Sequence, residues 1–238
     1  PIEEPWTSQP QVAVGIDWSN QIAKKICGGF ISCGGTYPPK TLPWLVEDPT
    51  RSANSPYTDL LPKPSVWGLS AMWSDDGGST RIISYKTGSP NARNFTFLAR
   101  VKVNTTPGSP GVICRTDTTA TGAAGTTIPL WQNTAQFDMR INGTDYTQAG
   151  TWNNGLWYDV AIVGTSSACI LYVDGNSIIS GAAAAAGTIQ PWCSVGDLAG
   201  GGVIAGGVEF GYLIWCSEAL SVGEIASFYR NPWQIFAP

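Results

Sequence analysis

The stretch Phe95-Thr96-Phe97-Leu98-Ala99-Arg100-Val101-Lys102-Val103 is apolar at every odd position and mostly polar between. A period of two belongs to a β-strand with one face in a core and the other in water. Similar short β-prone runs precede it at Val66–Trp73 and Arg81–Lys86. More follow at Gly111–Arg115, Ile128–Trp131, Phe137–Ile141, Thr144–Thr147, Leu156–Val163, Ala168–Val173, Ser177–Ser180, Trp192–Val195 and Val208–Trp215. Turn residues separate them, and Asn142-Gly143 and Asp174-Gly175 tolerate the positive φ of a tight hairpin. Many short antiparallel strands at this spacing predict an all-β sandwich or jelly roll.

The flanks read differently. Residues 1–65 hold ten of the seventeen prolines. Proline fixes φ and removes a backbone donor, so this part is expected to be an extended or turning arm packed on a body spanning 66–238. Within the arm, Trp18 to Ile26 carries cap residues and Ile22 and Ile26 four apart, which predicts one or two helical turns. Near the other end, Ser221-Val222-Gly223-Glu224 matches a capping box, with Leu220 and Ile225 where a hydrophobic staple stands. A short helix is therefore predicted, closed by Asn231-Pro232. The run Ala182–Ala186 is too short to be a helix on propensity and reads as a loop or edge segment.

Composition removes several functions. Thirteen basic against seventeen acidic residues leave a net charge of −4, which disfavours nucleic-acid binding. No apolar run is long enough to span a bilayer as a helix, and the N-terminus lacks the pattern of a secretion signal. The chain begins at Pro1, which fits a removed initiator Met and a trimmed leader equally. There is no histidine, so Ser-His-Asp and Cys-His catalysis and His-containing zinc sites are excluded. The six cysteines show no CxxC spacing. Cys114, Cys169 and Cys216 interrupt apolar runs and read as core residues, and one bridge between Cys27 and Cys33 stays open. Gly200 to Ala205 fits GxGxxA without the βαβ context that would give it meaning. Three N-glycosylation sequons, at Asn94, Asn104 and Asn142, are matches that a Ser/Thr-rich chain produces by chance.

The eleven tryptophans are the most distinctive feature. Flat indoles stack on sugar faces and amides beside them supply hydrogen bonds, so Trp131-Gln132-Asn133 and Trp152-Asn153-Asn154 are the candidate glycan contacts. The competing reading assigns Trp131 and Trp152 to protein contacts or core. Trp67, Trp157 and Trp215 fall on predicted strands and are expected in the core, while Trp18 and Trp233 are expected to anchor the arms.

Leu156-Trp157-Tyr158-Asp159-Val160-Ala161 followed by Ile170-Leu171-Tyr172-Val173-Asp174-Gly175 resembles the paired strands of the laminin-G-like, concanavalin A-like jelly rolls. Ala219-Leu220-Ser221-Val222-Gly223-Glu224-Ile225-Ala226-Ser227-Phe228-Tyr229 is similar to that family's closing helix. The resemblance covers about residues 66–230 and implies a jelly roll with a short C-terminal helix. Gly15 to Asn20 and Asn231 to Pro238 are similar to the ends of jelly-roll proteins of tailed bacteriophages. This implies a non-catalytic virion surface protein, a head decoration or tail-associated subunit, assembled in a bacterial cytoplasm with reduced thiols. Its expected partners are capsid or tail subunits and further copies of itself. The alternative is an adhesin recognising glycans.

Relatives of this fold that hydrolyse glycosides need two carboxylates about 5–9.5 Å apart. None of the six glutamates falls in the strand pattern E-x-D-x-x-E that would supply them, so no catalytic residues are expected. Laminin-G-like domains also hold calcium at the rim, which makes Asp117 and Asp197 the candidate ligands, without an Asp-rich run to support them. No other cofactor is implied.

Overall fold

The computed structural model describes residues 15–31, 40–41, 46–47, 60–65, 68–73, 83–86, 93–103, 111–117, 130–133, 136–141, 144–148, 153, 155–183, 192–195 and 208–237. From the N-terminus the strands are β1 (Gly15–Ile16), β2 (Ile26–Ile31), β3 (Lys40–Thr41), β4 (Val46–Glu47), β5 (Leu60–Ser65), β6 (Gly68–Trp73) and β7 (Ile83–Lys86). The body continues with β8 (Phe95–Val103), β9 (Gly111–Asp117), β10 (Leu130–Asn133), β11 (Gln136–Ile141), β12 (Thr144–Gln148) and β13 (Trp157–Gly164). Then come β14 (Ala168–Val173), β15 (Asn176–Ala182), β16 (Trp192–Val195), β17 (Val208–Cys216), helix α1 (Val222–Arg230) and β18 (Phe236–Ala237).

Apart from β1 and β18, which pair only with each other, these strands form two antiparallel sheets. One has the order β15-β14-β13-β8-β17-β2-β3, with β6 also on β17 and β5 on β6; the other runs β12-β11-β10-β9-β16-β7-β4. The non-sequential neighbours, β8 between β13 and β17 and β16 between β9 and β7, are the crossovers of a jelly roll. Strands β2 and β5, inside the proline-rich segment, belong to the first sheet. Strand β15 extends two residues beyond the predicted Ser177–Ser180 and takes in Ala182, because its ladder with β14 runs on to Ala168.

The odd residues of β8 face the second sheet. Phe95 and Phe97 meet Trp215 edge-on at 5.7 and 5.0 Å, and all three are buried with Val160, Ile162, Leu171 and Met139. At Gly164 this packing leaves no room for a side chain, since a Cβ there would overlap the Phe95 ring.

The even face of β8 corrects the expectation of a strand half in water. Thr96 and Leu98 are fully buried, because α1 and the two chain-end segments cover the outer face of the first sheet. Leu98, Ala161, Tyr172, Tyr212, Ile214 and Cys216 join Ile225, Phe228, Trp233 and Phe236 in a second core. The covering unit is a clasp of both ends: Gly15 pairs with Ala237 and Ile16 with Phe236. Asp17 N–H donates to the Ile235 carbonyl at 2.8 Å, and Asn20 Nδ2 donates to the Gln234 carbonyl at 3.1 Å. A 3-10 turn at Ala23–Lys25 fills the predicted helical stretch. Lys25 Nζ, at its end, binds Glu224 Oε1 of α1 at 2.6 Å. Trp233 is buried in the clasp, whereas Trp18 is 54% exposed, so Ile22, Ala23 and Ile26 bury the N-terminal segment in its place.

The predicted capping box is present. Glu224 N–H donates to Ser221 Oγ at 3.3 Å and Ser221 N–H donates to Glu224 Oε2 at 2.8 Å. Leu220 and Ile225, the expected staple, both enter the second core. The Asp174-Gly175 hairpin has φ of +49° and +81°, which matches the twist of its strands. Cys169 and Cys216 are buried as expected. The side chains of Cys27 and Cys114, and all of Cys33, Trp67 and residues 200–205, lie outside the described residues.

Candidate functional site

Tyr158 connects Asn153, in one of the two candidate glycan-contact stretches, with the strand next to the other. It shares the inward parity of Val160 and Ile162 on β13, and its ring meets Phe137 of β11 edge-on at 5.6 Å. Its hydroxyl accepts the backbone N–H of Asn153 at 2.9 Å. Leu156 N–H then donates to the Asn153 carbonyl at 3.2 Å. This closes a turn through Gly155, whose φ of +82° disfavours a side chain. Asn153 and Leu156 are both exposed.

On the far side, Phe137 stands opposite Gln132, between the pairs Trp131↔Asp138 and Asn133↔Gln136. The strand carrying Trp131 and Asn133 and the loop carrying Asn153 are therefore joined by one aromatic contact and one hydrogen bond. The side chains of Trp131 and Asn133, and all of Trp152 and Asn154, lie outside the described residues. Sequence reasoning did not single out Tyr158 or Phe137. The signal was available in the inward parity of Tyr158, whose hydroxyl needs a polar partner at the sandwich edge.

A second polar group lies on the outer face of the first sheet, where cover by the clasp thins along the strands. The row Leu98, Ala161 and Ile214 is fully buried. The next row pairs Arg100 with Asp159 and with Tyr212. Arg100 Nη1 donates to Asp159 Oδ2 at 2.7 Å, and Tyr212 Oη donates to Asp159 Oδ1 at 2.8 Å. The row beyond holds Lys102 opposite Trp157, both half-buried. Lys102 Nζ and Arg100 Cζ stand 5.4 and 5.8 Å from the Trp157 ring centre. Trp157 thus departs from its expected place in the core: its parity is opposite to that of Val160 and Ile162, which turns it outward.

Burial raises the Asp159 carboxyl above its ordinary value, and the Arg100 charge and the Tyr212 hydroxyl only partly offset it. Burial, reinforced by the Asp159 charge, pushes Tyr212 well above the usual phenol range, so it stays a donor. Both Asp159 oxygens are committed, and Asp174 Oδ1 accepts the Asp159 N–H at 2.9 Å. These carboxylates hold strands together. Glu224 is likewise bound by the helix cap and Lys25, and Asp17 accepts from Ser19 N–H at 2.8 Å.

For calcium, Asp117 ends β9 opposite Trp192. Its side chain and all of Asp197 lie outside the described residues. Among the described residues no three Cys, Asp or Glu side chains cluster as metal ligands would, so no ion is assigned.

Two stacked antiparallel sheets, jelly-roll crossovers and a closing helix define a lectin-like β-sandwich. The chain belongs to the concanavalin A-like lectin/glucanases superfamily, through the Laminin_G_3 family, whose profile matches residues 76–213, more than half of its length. No curated protein matches the chain. Among solved structures it is similar to the binding domain of Paraclostridial Mosquitocidal Protein 1, with a TM-score of 0.64 and 13% identity over 88% of this chain and 52% of that one. It is also similar to a mutant of Trypanosoma rangeli sialidase displaying trans-sialidase activity, with a TM-score of 0.58 and 14% identity over 91% of this chain and 34% of that one. Trypanosoma rangeli sialidase in complex with sialic acid gives a TM-score of 0.55 and 12% identity, covering 87% and 33%. The chain spans between a third and about half of these proteins, and at such identities the likeness is one of fold.

Proposed function

We propose that this chain is a non-catalytic glycan-binding module whose contact residues are Trp131, Asn133, Trp152, Asn153 and Asn154. The observation that carries the reading is the link from Asn153 through the Tyr158 hydroxyl and the Phe137 ring to the backbone opposite Gln132. It joins the backbone of the strand that carries Trp131 and Asn133 to Asn153. Rigid placement of a few polar groups beside indoles is what orientation of a sugar requires. The lectin superfamily to which the fold belongs, and the sialic acid bound by a sialidase of similar fold, support the same class of ligand.

Hydrolysis is disfavoured because none of the six glutamates falls in the strand pattern that pairs two carboxylates, and four of the described carboxylates, Asp17, Asp159, Asp174 and Glu224, are bound into structural hydrogen bonds. Screening the protein on a glycan array, with reducing-sugar release measured on each bound glycan, tests both halves. Binding without release is the expected result. Release above the buffer control would make the module an enzyme.

Where the module is carried is a separate proposal. Residues 15–20 and 231–237, parts of the two stretches similar to the ends of tailed-phage proteins, are paired in the clasp. A virion surface fits this likeness, and a glycan-binding role there would attach the particle to a host. Mass spectrometry of purified particles checks it, and absence of the chain from every particle fraction would remove it.

A further inference from the structure

We infer that Asn153 and Leu156 form a subsite for the acetamido group of a 2-acetamido sugar. The inference rests on the glycan-binding reading and names the substituent that the stretch around Asn153 would select. Leu156 is 54% exposed and, with Trp18 and Val222, is one of three large apolar side chains in the open among the described residues. It directly precedes β13 and is in phase with Tyr158, Val160 and Ile162. Exposure rises along that row: Ile162 and Val160 are fully buried, Tyr158 is half-buried and Leu156 is open. The apolar interior thus continues past the end of the strand as a leucine in water, in the same turn as the exposed Asn153.

The turn fixes the roots of these two side chains. Leu156 N–H donates to the Asn153 carbonyl at 3.2 Å, a closure that holds the first and last Cα atoms of a turn within about 7 Å of each other. Asn153 N–H is in turn held by the Tyr158 hydroxyl at 2.9 Å. Both bonds use the Asn153 backbone, and its exposed side-chain amide presents a donor and an acceptor. Gly155 lies between the two residues at φ +82°, and a Cβ built on it would meet no atom within 4 Å, so the space over the turn is open. An acetamido group brings an N–H, a carbonyl and a methyl. The Asn153 amide complements the first two, and Leu156 takes the methyl out of water. A hydroxyl at the same sugar carbon would leave that leucine solvated. Residues 151–156 carry no charge, so the turn suits a neutral amide rather than a carboxylate.

Isothermal titration of the full chain with chitotriose and with cellotriose, which share one backbone and differ in acetamido against hydroxyl, tests this, with Leu156→Ser, Leu156→Met and Asn153→Ala alongside. The wild type is expected to bind chitotriose about tenfold more tightly, equivalent to ~1.4 kcal/mol. Leu156→Ser should bring that ratio below about threefold, while Leu156→Met, which restores an apolar side chain, should keep it above. A wild-type ratio below about threefold, or one that stays above it in Leu156→Ser, would overturn the subsite. Loss of the preference in both leucine variants would place the effect in the turn and overturn the apolar contact. Should Leu156→Ser melt early, Asn153→Ala, which keeps both backbone bonds, is held to the same criterion. If the wild type binds both trimers equally, the subsite falls and the glycan-binding reading stands. Failure of the wild type to bind either trimer also overturns the subsite, and the array then decides the broader reading by itself.

Discussion

Two residues show how closely stability is tied to local geometry. Gly164 packs against the Phe95 ring without space for a Cβ. Gly164→Ala should therefore destabilise the fold by about 1–3 kcal/mol through overpacking, read as a lower denaturant midpoint with an unchanged slope. Asp159 and Glu224 respond to pH in opposite senses. Burial raises Asp159 above 3.8 in the folded state, so the native state holds its proton more tightly and this group contributes less stability as pH rises through that window. Burial also pulls Glu224 upward, but hydrogen bonds from Lys25 and Ser221 together outweigh it, and the net shift is below 4.5. Its contribution is present above that value and is lost on acidification. Denaturation measured between pH 3 and 6 should show a shallower acid-side loss in Glu224→Gln and a steeper one in Asp159→Asn. Parallel profiles for wild type and both variants would contradict the assignment. Residue-scale function was less legible than this: Trp157 read as core because a strand tryptophan usually is. Its outward turn depends on register with Lys102, which a single strand does not reveal.

Elements were legible where local chemistry decides them. The box at Ser221 and Glu224 predicted the start of α1, and Asn231-Pro232 its end. Ser221→Ala should cost about 1 kcal/mol by removing the acceptor for the Glu224 N–H. Thermal melting checks this, and an unchanged transition would mean that the Lys25–Glu224 pair holds the helix by itself. The hairpin at Asp174-Gly175 was equally plain, because positive φ at both positions leaves few residue choices. Strand β8 was legible on one face only. Thr96 looks like a solvent position and is instead buried, its hydroxyl accepting from Leu220 N–H at 2.7 Å and donating to the Glu218 carbonyl at 3.0 Å. That cover comes from the two chain-end segments, each about seventy residues or more away in sequence, and no local pattern encodes it.

At the scale of the whole molecule, alternating strands and turn signals were sufficient for a jelly roll, since an antiparallel sandwich buries each strand by the same two-residue rule. The clasp was not foreseen as one unit, because its two halves, near Gly15 and near Phe236, meet only after the sandwich has formed. The candidate site was legible as composition, tryptophan beside asparagine, and not as geometry, because the joining residues Phe137 and Tyr158 carry no sugar-binding signature of their own. The account turns on that junction. Its most direct test is calorimetric titration of the strongest array ligand into wild type, Trp152→Ala and Tyr158→Phe, each checked for unchanged melting. The account predicts that Trp152→Ala abolishes binding and that Tyr158→Phe, by freeing the Asn153 N–H, weakens it several-fold. Wild-type affinity in both variants would show that the ligand binds elsewhere and contradict the proposed site.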